Sequence, residues 1–261
     1  MVKNALKILL VSVIVIFLPS CTISSTYSRK NIKEAIRNIC KDEFNLDVKV
    51  RFSGETLWIY GPFEKLVDQD GQWNKQAQSS RVKIFHALGR VFLSMNNPPK
   101  LYCLLISSVK GTGLDTYTIG YIPDMIKFDM GFISLKEREK RVVFLSFLNP
   151  SALGDLNGDH IQEYDISMGE FIAYLVRQNL EKNIKASVST HYWANNLKVS
   201  FDINTTKLQE DSINFFDQVR KITKETLDIY NSSGDIAEIE INNLLTGDVE
   251  IYTPESITLF P

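Results

Sequence analysis

Asp155, Asn157, Asp159 and Glu163 stand at positions 1, 3, 5 and 9 of the run Asp155-Leu156-Asn157-Gly158-Asp159-His160-Ile161-Gln162-Glu163. Short oxygen-bearing side chains at alternate positions can wrap a hard cation that takes about six to eight oxygens, so the chemistry this spacing offers is calcium binding. A second candidate is the polar stretch from Asp68 to Ser80, which surrounds a single large aromatic, Trp73. Loops of that length are uncommon unless functional or disordered, and a tryptophan on one can anchor a partner, a glycan or a bilayer surface. The three histidines, His86, His160 and His191, show no H-E-x-x-H or H-x3-H spacing, which argues against zinc. No G-x-S-x-G nucleophile turn occurs. Gly111-Thr112-Gly113 lies between two strand patterns rather than opening a helix, so it reads as a hairpin turn and not a phosphate loop. No catalytic constellation emerges, and the expectation leans away from an enzyme.

The Asp155 run resembles the D-x-N-x-D-G calcium loops of EF-hand-like and FG-GAP-like proteins. It departs from them at position 6, where His160 replaces the usual glycine, and at position 12, where Ile166 replaces a bidentate glutamate with Asp165 beside it.

The N-terminus has a different chemistry. Lys3 and Lys7 precede the apolar run Ile8–Leu18, in which only Ser12 is polar. That run has the length of an export-signal core and falls short of the roughly 20 residues that span a bilayer. Leu18-Pro19-Ser20-Cys21 follows, and it resembles the lipobox of bacterial lipoproteins: an aliphatic residue at −3, a small residue at −1, then cysteine. Pro19 is an unusual residue at −2. The resemblance covers the signal segment alone. It implies cleavage before Cys21, a diacylglyceryl thioether on its sulfur and acylation (palmitate-type) of its amine. Each buried methylene contributes about 0.8 kcal/mol, so two or more chains hold a protein stably at a membrane. Thr22 after the cysteine implies, in a Gram-negative host, the periplasmic face of the outer membrane. Residues 22–30 are polar and read as a tether reaching at most about 30 Å.

Removing residues 1–20 leaves 27 basic and 31 acidic side chains, a formal charge of −4. No basic excess suggests nucleic acid as a partner. The remaining cysteines, Cys40 and Cys103, sit in apolar patterns and read as buried free thiols rather than a bridge, although export would permit one.

The elements that must position these residues form two similar strings. A helix over about 31–44 carries Ile32, Ala35, Ile36, Ile39, Cys40 and Phe44 on one face, with Asn31 as N-cap and Glu34 three residues on. Leu46, Val48, Val50 and Phe52 alternate as a strand, and Leu57–Tyr60 returns after Ser53-Gly54. A helix over about 81–95 follows, with His86 expected to be half-buried in it. Strands over 101–107 and 114–122 complete the order α-β-β-α-β-β. Helix 166–182, strands 186–193 and 197–203, helix 211–230, and strands 236–242 and 249–253 repeat it.

The expected fold is therefore α+β: two tandem two-layer units, each an antiparallel sheet covered by helices. Such modules are similar at fold level to BON-type domains of envelope proteins, a likeness that carries no activity. The organisation reads as signal 1–20, tether 21–30, first unit 31–122, connecting segment 123–164 and second unit 165–261. Within the connection, 124–132 reads as a short helix, Lys136–Arg141 as a solvated charged run or a contact for a phospholipid headgroup or partner, and Val142–Leu148 as a buried strand or a joining edge. The function expected is that of a membrane-anchored envelope lipoprotein, an interaction or assembly module with an envelope protein partner. The alternative is a ligand-binding or hydrolytic protein with a site between the units.

Overall fold

The computed structural model describes residues 27–184, 187–202, 215–230 and 235–257; Cys21 and the segment read as an export signal lie outside them. Helix α1 (Ile32–Phe44) buries Ile32, Ile36, Ile39 and Cys40. It stops at Asn45, whose left-handed backbone (φ 54°) returns its amide to the carbonyls of the last turn. The capping box expected from Asn31 and Glu34 does not form. Asn31 already has near-helical backbone angles (φ −100°, ψ −3°), which do not present its side chain to the amides it would cap. Strands β1 (Lys49–Ser53) and β2 (Thr56–Phe63) make a hairpin about Gly54.

Helix α2 (Lys75–Leu93) begins earlier than the apolar period predicts. The Asn74 side chain accepts hydrogen bonds from the amides of Gln76 and Ala77, and the first turns bury the small residues Ala77 and Ser80. The long polar loop expected over 68–80 therefore ends at Asn74. His86 is exposed on this helix rather than half-buried in it. Strands β3 (Leu101–Ser108) and β4 (Leu114–Tyr121), the short helices α3 (Ile122–Asp129) and α4 (Leu135–Lys140), and β5 (Val142–Leu148) follow.

Sheet one has the order β1-β2-β3-β4-β5. Its β2–β3 pair is parallel and the other pairs are antiparallel, so the all-antiparallel sheet expected from the sequence is corrected to a mixed one. The cause is α2. A helix between two strands carries the chain back along the sheet, so the next strand starts from the same end as the last. Strand β5 is the edge of this sheet. Only Val142 and Val143 are buried, while Phe144, Phe147 and Leu148 are exposed, so of the two expectations for this segment the structure shows an edge and not a buried strand.

Helix α5 (Met168–Ile184) opens the second unit with a capping box of its own. The Glu170 amide donates to Ser167 Oγ (3.2 Å), and the Ser167 amide donates to Glu170 Oε2 (2.8 Å). Strands β6 (Ser187–Trp193) and β7 (Asn196–Asp202), helix α6 (Phe215–Tyr230), and strands β8 (Glu238–Asn243) and β9 (Val249–Tyr252) complete it. Sheet two has the order β6-β7-β8-β9, again with a parallel central pair between antiparallel neighbours. The two units thus share element order, strand order and strand direction over their first two helices and four strands, to which sheet one adds α3, α4 and β5. The fold is α+β with two tandem units.

The units are stacked through α5. Helices α1 and α2 cover one face of sheet one. Phe171 and Leu175 of α5 cover the other, against Trp58, Leu101, Cys103, Ile119 and Val143. From the same helix, Ile172, Val176 and Leu180 pack with Leu197, Val199, Phe201, Ile239 and Ile241 of sheet two. Each of these five α5 side chains contributes about 1.5–3 kcal/mol on burial. Their sum rivals the roughly 5–15 kcal/mol net stability of a whole domain, so the two units cohere as one stack. The layers run α1 and α2, sheet one, α5 with α6, sheet two.

Cys40 and Cys103 are free and buried. Cys40 faces the core beneath α1 and α2, and Cys103 faces α5. Residues 27–30, expected to belong to a tether, lie against the body instead. The Tyr27 amide donates to the Ser94 carbonyl (3.4 Å), and its ring packs on the first core. Arg29 pairs with Glu55 at 2.7 Å and lies over the Phe52 ring. From Tyr27 onward the chain is held against the body.

Candidate functional site

The segment after β5 crosses back over sheet one before α5 begins. A short 3-10 turn (Pro150–Ala152) is capped by Asn149, whose side chain accepts from the Ser151 amide. From Asp155 to Ile166 the segment is fastened to β1 and β2. Tyr60 donates its hydroxyl to the Asp155 carbonyl (2.5 Å), and Trp58 donates Nε1–H to the Tyr164 carbonyl (3.0 Å). Arg51 pairs with Glu163 at 2.8 Å and donates to the Asn157 carbonyl at 3.2 Å. Asp165 accepts from the Glu55 amide (2.8 Å), and Thr56 Oγ1 accepts from the Ile166 amide (2.9 Å).

This strap determines what the calcium-like run does. Asp155 Oδ1 accepts from the amides of Asn157 (2.9 Å) and Gly158 (2.8 Å). Its Oδ2 accepts from the His160 amide (2.9 Å) and meets His160 Nδ1. Asn157 offers its carbonyl to Arg51, and Glu163 is held in its ion pair with the same arginine. Asp159 remains exposed. Asp155, Asn157, Asp159 and Glu163 therefore do not converge as a ligand set. Among the described residues no group of three or more His, Cys, Asp or Glu side chains is gathered for a metal. His160, standing where the calcium loops have glycine, turns its ring to the Asp155 carboxylate.

His160 also joins a buried polar cluster that the sequence did not reveal. Its Nε2 lies 3.3 Å from Asp115 Oδ2, close enough for an ion pair but not aligned as a hydrogen bond. Asp115 is fully buried in β4. It accepts from Ser107 Oγ of β3 (2.5 Å) and from Asn149 Nδ2 (2.9 Å). Burial alone would raise the Asp155 carboxyl, but the His160 amide and ring and the amides of Asn157 and Gly158 outweigh it. Together they hold the group down at about 2. Burial pushes the neighbouring Tyr60 hydroxyl up to about 12, assisted by the charges of Asp155 and Asp115.

A serine, a histidine and two carboxylates invite comparison with a hydrolase triad. The connectivity is different: Ser107 donates to Asp115, so a carboxylate occupies the place where a general base would receive the nucleophile's proton. The cluster instead ties β3, β4 and the strap together. The signal that could have revealed it was Ser107 and Asp115, two polar residues in otherwise apolar strands.

Trp73 is just over a third exposed (37%) and pairs through its backbone with Val67. Its loop is ordered by Asn74 Nδ2 donating to Asp68 Oδ1 at 2.8 Å. Trp73 does not line the open recess around Asp155 and His160, so the structure does not bring these candidates into one site.

Where sheet one meets the strap, the enclosed cavity between Arg51, Trp58, Tyr60 and Ile161 amounts to about 10 Å³, room for no more than a water. A wider groove of about 710 Å³ opens where α4 meets α5 and α6. Lys140, Lys182 and Lys221 line it together with Glu137, Glu225 and Asp228. Comparisons with protein-family models, with curated proteins and with solved structures find no match for this chain.

Proposed function

We propose that this chain is a lipid-anchored protein of the bacterial cell envelope whose folded body serves as an interaction or assembly module. The observation that carries the reading is the sequence Leu18-Pro19-Ser20-Cys21 directly after an export-length apolar run. The body supports the non-enzymatic half of it. The two units meet through packed side chains of α5, and the buried serine–histidine–carboxylate cluster is wired as a clamp. Cys21→Ser should move the protein from the membrane fraction to the soluble envelope fraction. Persistence in the membrane fraction, unprocessed, would sink the anchor. Crosslinking in cells should capture specific envelope partners, and a protein that stays solitary in every membrane preparation would count against an assembly role.

A second reading rests on the groove between α4, α5 and α6. There a ligand carrying both charges could be held by Lys182 and Lys221 on one side and Glu137 and Glu225 on the other. Saturable binding of such a ligand, lost in Lys221→Ala, would favour it over the first.

A further inference from the structure

The distance from Cys21 to the body is short. Five residues, 22–26, separate the cysteine from Tyr27, which is fixed to Ser94 at the end of α2. At about 3.3–3.6 Å per residue, that link spans at most roughly 20 Å. Tyr27 belongs to the α1 and α2 layer, the outermost of the stack, with sheet one and α5 between it and sheet two.

Leu93, next to Ser94, is exposed and lines a groove of about 370 Å³ with Val82, Phe85, Met125 and Phe128. The turn after α3 flanks this groove and presents Met130 and Phe132, the latter 72% exposed. Leu135 stands exposed at the start of α4. Lys127 and Lys136 are exposed around these side chains, with the carboxylates of Asp129 and Glu139 among them. Exposed apolar side chains with lysines at their margin suit a surface that offers acyl chains beneath headgroups. Trp193 and Ile251, also exposed, belong to sheet two at the far end of the stack.

We propose that the surface formed by Leu93, Met130, Phe132 and Leu135 rests on the bilayer that holds the lipid on Cys21, which makes the inference dependent on the anchor reading above. The link sets the choice of occupant. A folded partner of about 100 residues has a radius of gyration near 13 Å and is wider than the roughly 20 Å available, so it does not fit between this layer and the membrane. Sheet two then points away from the bilayer.

The test uses the full lipidated chain in vesicles of phosphatidylethanolamine and phosphatidylglycerol. Phe132→Cys and Trp193→Cys each introduce one thiol at an exposed position, to be labelled with bimane. Cys40 and Cys103 are buried, burial holding the Cys40 thiol up at about 11, and an acylated Cys21 has no free thiol. Doxyl-labelled lipids should remove most of the emission at 132 and leave that at 193 unchanged. Equal quenching at both positions, or free access of iodide to 132 on protein that floats with the vesicles, overturns the proposal. Shielding of 132 from iodide without quenching by lipid would put a protein there and overturns it equally. Label uptake at Cys21 in the parent chain, with loss of flotation, overturns the anchor reading instead, and this one with it.

Discussion

Trp58 and Lys198 occupy the same place in the two sheets. Each lies two residues past the first pair of its parallel ladder, Trp58 opposite Cys103 and Lys198 opposite Glu240. The first pair is buried beneath α5. The second faces outward as an ion pair of 2.6 Å, with both side chains partly exposed. One topology is thus written twice, with an apolar outer face where another layer follows and a charged centre where, among the described residues, none does.

Removing the layer contact should therefore cost far more than removing the ion pair. Leu175→Ala leaves a cavity between α5 and sheet one and should destabilise the protein by about 2–5 kcal/mol. Lys198→Ala should cost about 1 kcal/mol or less, as surface pairs do. Urea unfolding of both variants measures the difference. Similar losses would mean that α5 does not bear on sheet one as described.

Asp155 predicts an acid-dependent stability. Its carboxyl lies at about 2 in the folded protein, below its ordinary 3.8. A depressed carboxyl stabilises the folded state above the unfolded value, and that stability is lost as pH falls through the folded one. Asp155→Asn should cost about 2 kcal/mol at neutral pH, with the gap to wild type narrowing below about pH 4 and closing near pH 2. Denaturant curves across that range check it. A gap that stays constant down to pH 2 would contradict the hydrogen bonding assigned to this group.

Gly54 is required for two reasons that a substitution would expose together. Its φ of 56° is left-handed, and a Cβ there would fall within 2.0 Å of the Asp165 carboxylate. That carboxylate is fixed by the Glu55 amide. Gly54→Ala should destabilise by about 1–3 kcal/mol and loosen the strap at its second end. Hydrogen exchange should quicken at the Glu55 amide. Unchanged protection there would show that the strap does not depend on this contact.

The two internal thiols should be silent in the native protein. Cys40 and Cys103 are buried without a bridge, and burial raises both thiols, Cys40 to about 11. A thiol reagent at pH 8 should leave both unmodified until denaturant is added, then modify both. Rapid native reaction of either one would place it at the surface.

Most of the fold was legible in the sequence because its helices and strands obey simple periods. What escaped has physical reasons. The start of α2 was hidden because Ala77 and Ser80 are small, and an apolar-period reading does not count them as core. The direction of β3 relative to β2 lies in no residue; the intervening helix dictates it. Helix α5 carries a wide stripe, with Phe171 beside Ile172 and Leu175 beside Val176, and its burial from two sides escaped because both sets read as one inward face. In the strap, the oxygen spacing of a calcium loop was visible. The partners that occupy those oxygens, Arg51 and His160, were not, because Arg51 comes from a strand more than a hundred residues away and His160 reads as a departure from the motif.

The double-sided burial of α5 has a consequence for the order in which the chain acquires its shape. Synthesis delivers the N-terminal half first. Sheet one is complete once β5 has emerged, yet the row of Trp58, Leu101, Cys103 and Ile119 stays bare until Phe171 and Leu175 arrive. Until then the nascent chain presents a sticky sheet with one dry side uncovered. The strap and α5 follow next in sequence, so the cover is the first thing to emerge after the surface that needs it.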